Sequence, residues 1–297
     1  MKETGVDQIR NYSASFYYYK LMDNIDLTGG ANWFAPIALF RGSLNGNSKT
    51  ISNWTYSDGA TDGIGLMAYW PDNNSNAVSN LNLDSFSVTG KNYVGTLVAL
   101  NSSTGNTTSA GTLTNITVTS SSVTGVNFSG GIVGVFYGGT ATSLSYDGSV
   151  TGTGNHAGGV FGAVMGLTGL ASSATISQCH SGGGTVQSTG NNIGGLIGGA
   201  TSNSTSHVTI TIDNSSSSSL VRGTGVASKQ VGGFIGDITT SQITNSYATG
   251  NVSAPNITAY SNSGIGGFVG DGHNSTFDNC YATGNVDAEY EYVGGFM

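Results

Sequence analysis

Apolar residues along this chain fall in short runs that alternate with Ser, Thr and Asn, and the runs return at a long period. Alternation at period 2 predicts half-buried strands, and the Gly, Asn, Asp and Ser between the runs predict turns. The sharpest run is a hexapeptide: an aliphatic or small residue, two glycines, two apolar residues and a closing glycine. It recurs at residues 130–134, 157–162, 193–198, 231–236 and 265–270, and in weak form at 64–67 and 94–98. A further copy begins at Val293 and reaches Met297 before its closing glycine, so the chain is expected to be a fragment of something longer. Counted from Ile64, Val94, Ser129, Ala157, Ile193, Val231, Ile265 and Val293, the steps are 30, 35, 28, 36, 38, 34 and 28 residues. Periods of this size indicate a solenoid.

A second pattern lies between the copies. Residues 242–252 match 276–286 almost position by position, with looser versions at 81–83, 113–118 and 175–180. Each repeat thus holds three short runs separated by turns, which describes one turn of a parallel β-coil. Stacked coils place each residue over its counterpart about 4.8 Å away, with apolar side chains inside and Thr, Ser and Asn outside. The paired glycines let the backbone bend or approach closely where a Cβ would clash. Eight or nine such coils make a rod of about 40 Å.

Composition supports an all-β reading. Gly (48), Ser (40), Thr (35) and Asn (28) make half of the 297 residues, while Glu totals three and Lys five, the reverse of a helical composition. Disorder is disfavoured because only 8% of residues are charged, whereas Val, Ile, Tyr and Phe are frequent. The net charge of −8 excludes a phosphate-neutralising surface for nucleic acid and an electrostatic hold on anionic membranes. No run of 18 apolar residues is present to insert as a helix, and the first twenty residues carry no basic-then-apolar leader.

The Gly-Gly-Phe-Ile-Gly run at 232–236 and the Asn-Ser-Tyr-Ala-Thr-Gly-Asn-Val run at 245–252 resemble the GLUG motif of large bacterial surface and secreted proteins. Residues 18–27 look like the lead-in strand that precedes such repeats. Trp33, Pro36 and Ile37, followed by 40–51, are similar to their next segment, with Asn45 in place of the usual Asp. The resemblance covers about residues 16–297. It implies a right-handed parallel β-helix, with about one three-stranded coil per 28–38-residue repeat, of the kind found in adhesins, filamentous-haemagglutinin-like proteins and accessory regions of extracellular peptidases. Residues 1–62 are then the N-terminal lead-in and capping segment, and 63–297 the repeats. The family implies no shared catalytic residue.

Candidate chemistry is sparse, and no catalytic, cofactor-binding or metal-ligating residue is assigned. Polysaccharide lyases of β-helical fold need a carboxylate cluster near a basic residue, and Arg10, Arg41 and Arg222 have none nearby in sequence. Hydrolysis needs paired carboxylates, for which Asp271 and Asp278, with His273, are the candidates. The competing reading makes them exposed turn residues. Asp58 and Asp62 suggest calcium only superficially, because the ligand spacing of a calcium loop is missing. Cys179 and Cys280 share one place in their repeats, three coils or about 14 Å apart, too far for a disulfide. His180 follows Cys179 but faces the opposite side of the strand. Thr-x-Thr runs at 117–119 and 209–211 are similar to ice-binding arrays, although the equivalent positions elsewhere break the array. Twelve Asn-x-Ser/Thr sequences occur, among them Asn53, Asn115 and Asn214.

The expectation is a non-enzymatic structural or adhesive solenoid segment of a cell-surface or secreted protein, without cofactors. Its exposed Ser, Thr, Asn and Tyr would meet glycans or proteins of a host or neighbouring cell, and Tyr247, Tyr281, Tyr290 and Tyr292 are the first surface aromatics to inspect. The alternatives are a carbohydrate-active β-helix enzyme and the accessory region of an extracellular peptidase.

Overall fold

Every strand pairing in the computed structural model is parallel, and each strand pairs with its counterpart one repeat away. The structure describes residues 17–29, 34–71, 76–101, 111–166, 172–201, 208–226, 228–257, 264–289 and 292–297. These residues form a β-solenoid of three sheets with twenty, eight and seven strands, without a helix. In the last complete coil the chain passes through Ile265–Gly266 in the seven-stranded sheet and Val269–His273 in the eight-stranded sheet. It then crosses the long sheet as Thr276–Asp278, Tyr281–Ala282 and Val286–Ala288. Eight strands in one sheet span about 34 Å at the usual spacing between strands.

Register converts the sequence repeat into columns. Val98, Val133, Phe161, Ile197, Ile235 and Val269 stack along one inner wall, all fully buried. Leu113, Ala141, Ile176, Ile212, Ile243 and Phe277 stack along a second. A third is nearly pure valine, through Val88, Val123, Val150, Val186, Val221 and Val252. Each buried aliphatic side chain contributes about 1.5–3 kcal/mol, but only because the neighbouring coils cover it. Phe234, Phe268 and Phe296 stack ring on ring, with centroids 4.7 and 4.9 Å apart.

The glycine pairs act by close approach. A Cβ on Gly130, Gly158, Gly194, Gly232 or Gly266 would run into the carbonyl oxygen three residues on. On Gly131, Gly159, Gly195, Gly233 or Gly267 it would meet the carbonyl of the equivalent glycine in the next coil. None of these glycines has a positive φ, so the motif serves backbone contact between coils and not a turn conformation.

The turns are made instead by other residues. Nineteen described non-glycine residues have positive φ, and nine of them are asparagine, the side chain that best tolerates the left-handed region. One corner column runs Asn80, Asn115, Ser143, Gln178, Asn214, Asn245 and Asn279, every member with φ between 47° and 57°. Its side chains also bond from coil to coil, with Asn115 Nδ2 donating to Asn80 Oδ1 at 2.9 Å and Asn279 Nδ2 to Asn245 Oδ1 at 2.7 Å. The residue after the corner turns inward, and where it is serine it closes the bend. Ser215 Oγ donates to the Asp213 carbonyl and accepts the Cys179 amide, and Ser246 Oγ does the same for Thr244 and Ser215.

Candidate functional site

Polar side chains that face outward are held in columns like the core, so a site here is a set of register neighbours. The richest set lies where the seven-stranded sheet meets the eight-stranded one. The left-handed residue that precedes four successive copies of the hexapeptide is Tyr93, Phe128, His156 and Asn192 in turn. The first three stack face to face, with centroids 5.1 and 4.7 Å apart. Asn192 Nδ2 then bridges His156 Nε2 at 3.4 Å and Asp237 Oδ2 at 3.2 Å. Gly199 leaves room for this bridge, since a Cβ there would press on the His156 ring.

Asp237 stacks in register on Asp271, and Thr239 on His273. His273 Nε2 lies 3.3 Å from Asp271 Oδ1. Burial and the Asp271 charge raise the Asp237 carboxyl to about 6, against smaller opposing effects of His273 and the Asn192 bond. Burial alone pushes His156 down to about 4, so it is neutral. The strip therefore offers a carboxyl that titrates near neutrality, a second carboxylate, an amide and two imidazoles. It can give and accept hydrogen bonds. No group of three or more His, Cys, Asp or Glu among the described residues is placed to hold a metal ion.

Of the residues singled out in the sequence, Asp271 and His273 come together here and Asp278 does not. Asp278 belongs to the long sheet, in register with Thr244. The carboxylate that joins Asp271 is Asp237, whose only sequence signal is its position one 34-residue step earlier in the same motif.

The other candidates resolve as follows. Asp58 caps its own turn, accepting from the Ala60 amide at 3.1 Å and the Thr61 hydroxyl at 2.8 Å, and those bonds hold its carboxyl below the usual range. Asp62 accepts from the Asn92 amide and side chain. Cys179 and Cys280 occupy one inward column with Ser215 and Ser246 between them, and both are free thiols. Burial raises Cys179 to about 12 and also raises Cys280. His180 faces outward, where Nδ1 lies 2.8 Å from Ser216 Oγ.

Thr112, Thr140, Thr175 and Thr211 form one outer column that Gln242 interrupts before Thr276. Its neighbour reads Thr114, Thr142, Ser177 and Asp213, so the hydroxyl array is interrupted. Tyr247 and Tyr281 stack with centroids 5.1 Å apart and planes 5° from parallel. One face of each ring covers the other's, and Tyr281 remains exposed. Tyr292 is exposed, and Tyr290 lies outside the described residues.

Comparison with known proteins places the repeats. Residues 227–253 and 261–287 match the family model for the GLUG motif. Halomucin of Haloquadratum walsbyi is 33% identical over 116 residues, which cover 35% of this chain and 1% of halomucin. The chain therefore corresponds to a very small part of that relative's length. A crystal structure from Bacteroides ovatus, described by name as a candidate immunoglobulin A1 protease, superposes with a TM-score of 0.71. The match covers 91% of this chain and 80% of that one at 19% identity, and it shows a shared fold. The two matched segments lie on adjacent coils of the β-solenoid.

Proposed function

We propose that this chain is a non-enzymatic solenoid segment of a large cell-surface or secreted protein, serving as an adhesive rod or stalk. The observation that carries this reading is how the backbone donors around the outer polar contacts are used. At the Ser216–His180 contact, the Ser216, Ser218 and Tyr247 amides donate to the Cys179, Ser181 and Ser215 carbonyls of neighbouring coils. Those amides are committed to the ladder and are not turned toward a substrate carbonyl, as acyl transfer requires. What the outer walls offer is area, with columns of hydroxyls, amides and tyrosine edges repeated at the coil spacing. Such a surface suits many weak contacts with glycans or proteins of a host or neighbouring cell. The halomucin likeness supports the extracellular setting.

Polysaccharide hydrolysis is the second reading, and the stacked pair Asp237 and Asp271 favours it. Two carboxyls in register on adjacent coils, one of them raised by burial, are a starting point for a general acid and its partner. Peptidase accessory function has only the shared fold behind it.

The test is saturable binding of the labelled chain to arrays of glycans and matrix proteins. Binding that survives Asp237→Asn and Asp271→Asn together is expected of the rod. Failure to bind any surface would overturn the adhesive reading.

A further inference from the structure

Asparagine at a left-handed corner has a consequence beyond folding. Four of the corners carry a complete Asn-x-Ser/Thr sequence: Asn53-Trp54-Thr55, Asn115-Ile116-Thr117, Asn214-Ser215-Ser216 and Asn274-Ser275-Thr276. We propose that Asn53, Asn115, Asn214 and Asn274 are acceptor sites for N-linked glycans.

The corner geometry displays the sequence in a fixed way. All four asparagines are exposed, with φ of 60°, 55°, 47° and 49°. The middle residue turns toward the core: Trp54, Ile116 and Ser215 are buried, and Ser275 closes its bend through the His273 carbonyl. The hydroxyl residue then returns to the asparagine's side of the strand, exposed at Thr276, half-buried at Thr55 and Thr117, and most covered at Ser216, whose hydroxyl lies 2.8 Å from His180 Nδ1. Asn-x-Ser/Thr is an acceptor when it lies on such a surface bend of an extracellular chain.

Folding alone does not require the whole sequence. The corner needs a residue that tolerates positive φ, followed by an inward side chain. It places no demand on the residue after that, which is His180 after Gln178, Tyr247 after Asn245 and Tyr281 after Asn279. Among the other described copies, Asn251 and Asn256 are exposed but neither stands at a left-handed corner, and two more are covered. Asn101 is fully buried and donates to the Gly138 carbonyl, and half-buried Asn127 donates to Asn92. Asn11, Asn73, Asn106 and Asn203 lie outside the described residues.

The chemistry leaves the fold intact. Nδ2 bonds to the anomeric carbon of an oligosaccharide carried on a lipid pyrophosphate. The lipid pyrophosphate departs, and one Nδ2 proton passes to a base of the transferring enzyme. The glycosylated amide keeps its other N–H, so the bond from Asn115 Nδ2 to Asn80 Oδ1 can persist, as can that from Asn53 Nδ2 to Asp26 Oδ1 at 3.0 Å. Asn214 and Asn274 make no side-chain hydrogen bond within the described residues. Asn115 and Asn214 stand three coils apart in one column, about 14 Å, so their glycans would line one edge of the rod and leave its flat walls open.

This inference rests on the extracellular reading, so the experiment imposes the secretory route. The chain, fused to a leader, is secreted from a host with N-glycosylation, and site occupancy is read by enzymatic deglycosylation in heavy-oxygen water and peptide mass spectrometry. The expected result is a glycan on most copies at each of the four corners and none at Asn101. Each Asn→Gln variant should lose one glycan's mass and melt within a few degrees of the parent, since Gln178 and Gln230 already occupy left-handed positions. A folded, secreted chain with bare corners, or with Asn101 as heavily occupied as they are, would overturn the assignment. Loss of adhesive binding, with the corners occupied, would count against the proposed function and leave these sites standing.

Discussion

Asp237 and Asp271 sit one above the other on adjacent coils, and Asn192 ties Asp237 back to His156 on the neighbouring corner. The strip thereby contains two titrations of opposite effect on stability.

Asp237 is raised to about 6 in the folded chain, above the usual carboxyl near 3.9. Its contribution is fully present below about pH 4 and is lost as pH rises toward 6, because the folded state holds the proton that the unfolded state has released. His156 is lowered to about 4 from 6.5. Its contribution is present above 6.5 and is lost as pH falls toward 4. The two should nearly cancel in the parent between pH 4 and 6.5. Thermal melts of Asp237→Asn should therefore rise with pH over that range, and those of His156→Phe should fall. Each difference should be about 1–2 kcal/mol after allowing for partial exposure. Parallel pH profiles for both variants and the parent would contradict the assignment.

Close approach at the glycine pairs gives a sharper mutational contrast. Gly232→Ala would drive a methyl group into the Ile235 carbonyl and to 2.6 Å from the Gly270 amide nitrogen. It should cost about 2–4 kcal/mol. Gly59→Ala, with nothing within 4 Å of its Cβ, should be neutral within about 0.5 kcal/mol. Chemical denaturation of the two variants side by side reads the difference.

The corner column separates backbone strain from hydrogen bonding. Asn245→Ala and Asn245→Gly both lose the bonds to Asp213 and from Asn279, but only alanine must force a Cβ into the left-handed region. Alanine should melt lower than glycine by an amount worth about 1 kcal/mol. Equal melting temperatures would mean that the corner is not held at positive φ in solution.

The thiols should report the inward column. Cys179 is fully buried and raised to about 12, so a thiol reagent should reach it only on unfolding, whereas half-buried Cys280 should react slowly in the native chain. Cys179→Ser should cost under about 1.5 kcal/mol, because Ser215 and Ser246 already fill the same place in the next two coils. Rapid native labelling of both thiols would argue against this register.

Much of this was legible in the chain, for identifiable reasons. The glycine pairs recur with so little variation that 193–198, 231–236 and 265–270 mark successive coils without any structure. The stacked phenylalanines and the shared place of Cys179 and Cys280 follow from that alignment. Asp237 was not legible as the partner of Asp271, because spacing between coils varies from 28 to 38 residues and the sequence neighbour Asp278 stood nearer. Asparagine is legible as a turn residue, but not which of the asparagines make the corners. Only the backbone angles show that nine of them hold positive φ, since Asn in a strand and Asn at a bend look alike in sequence. Tyr247 and Tyr281 were legible as surface aromatics, but not that one face of each is stacked on the other.

The central claim, that this solenoid holds its partners without transforming them, is tested most directly by following bound substrate over time. The purified chain would be incubated with labelled polysaccharides and proteins to which it binds, and both the bound fraction and any released fragments measured by mass. The account predicts a stable bound fraction with the substrate recovered intact. Fragments that accumulate with the parent chain and vanish with Asp271→Asn would contradict it.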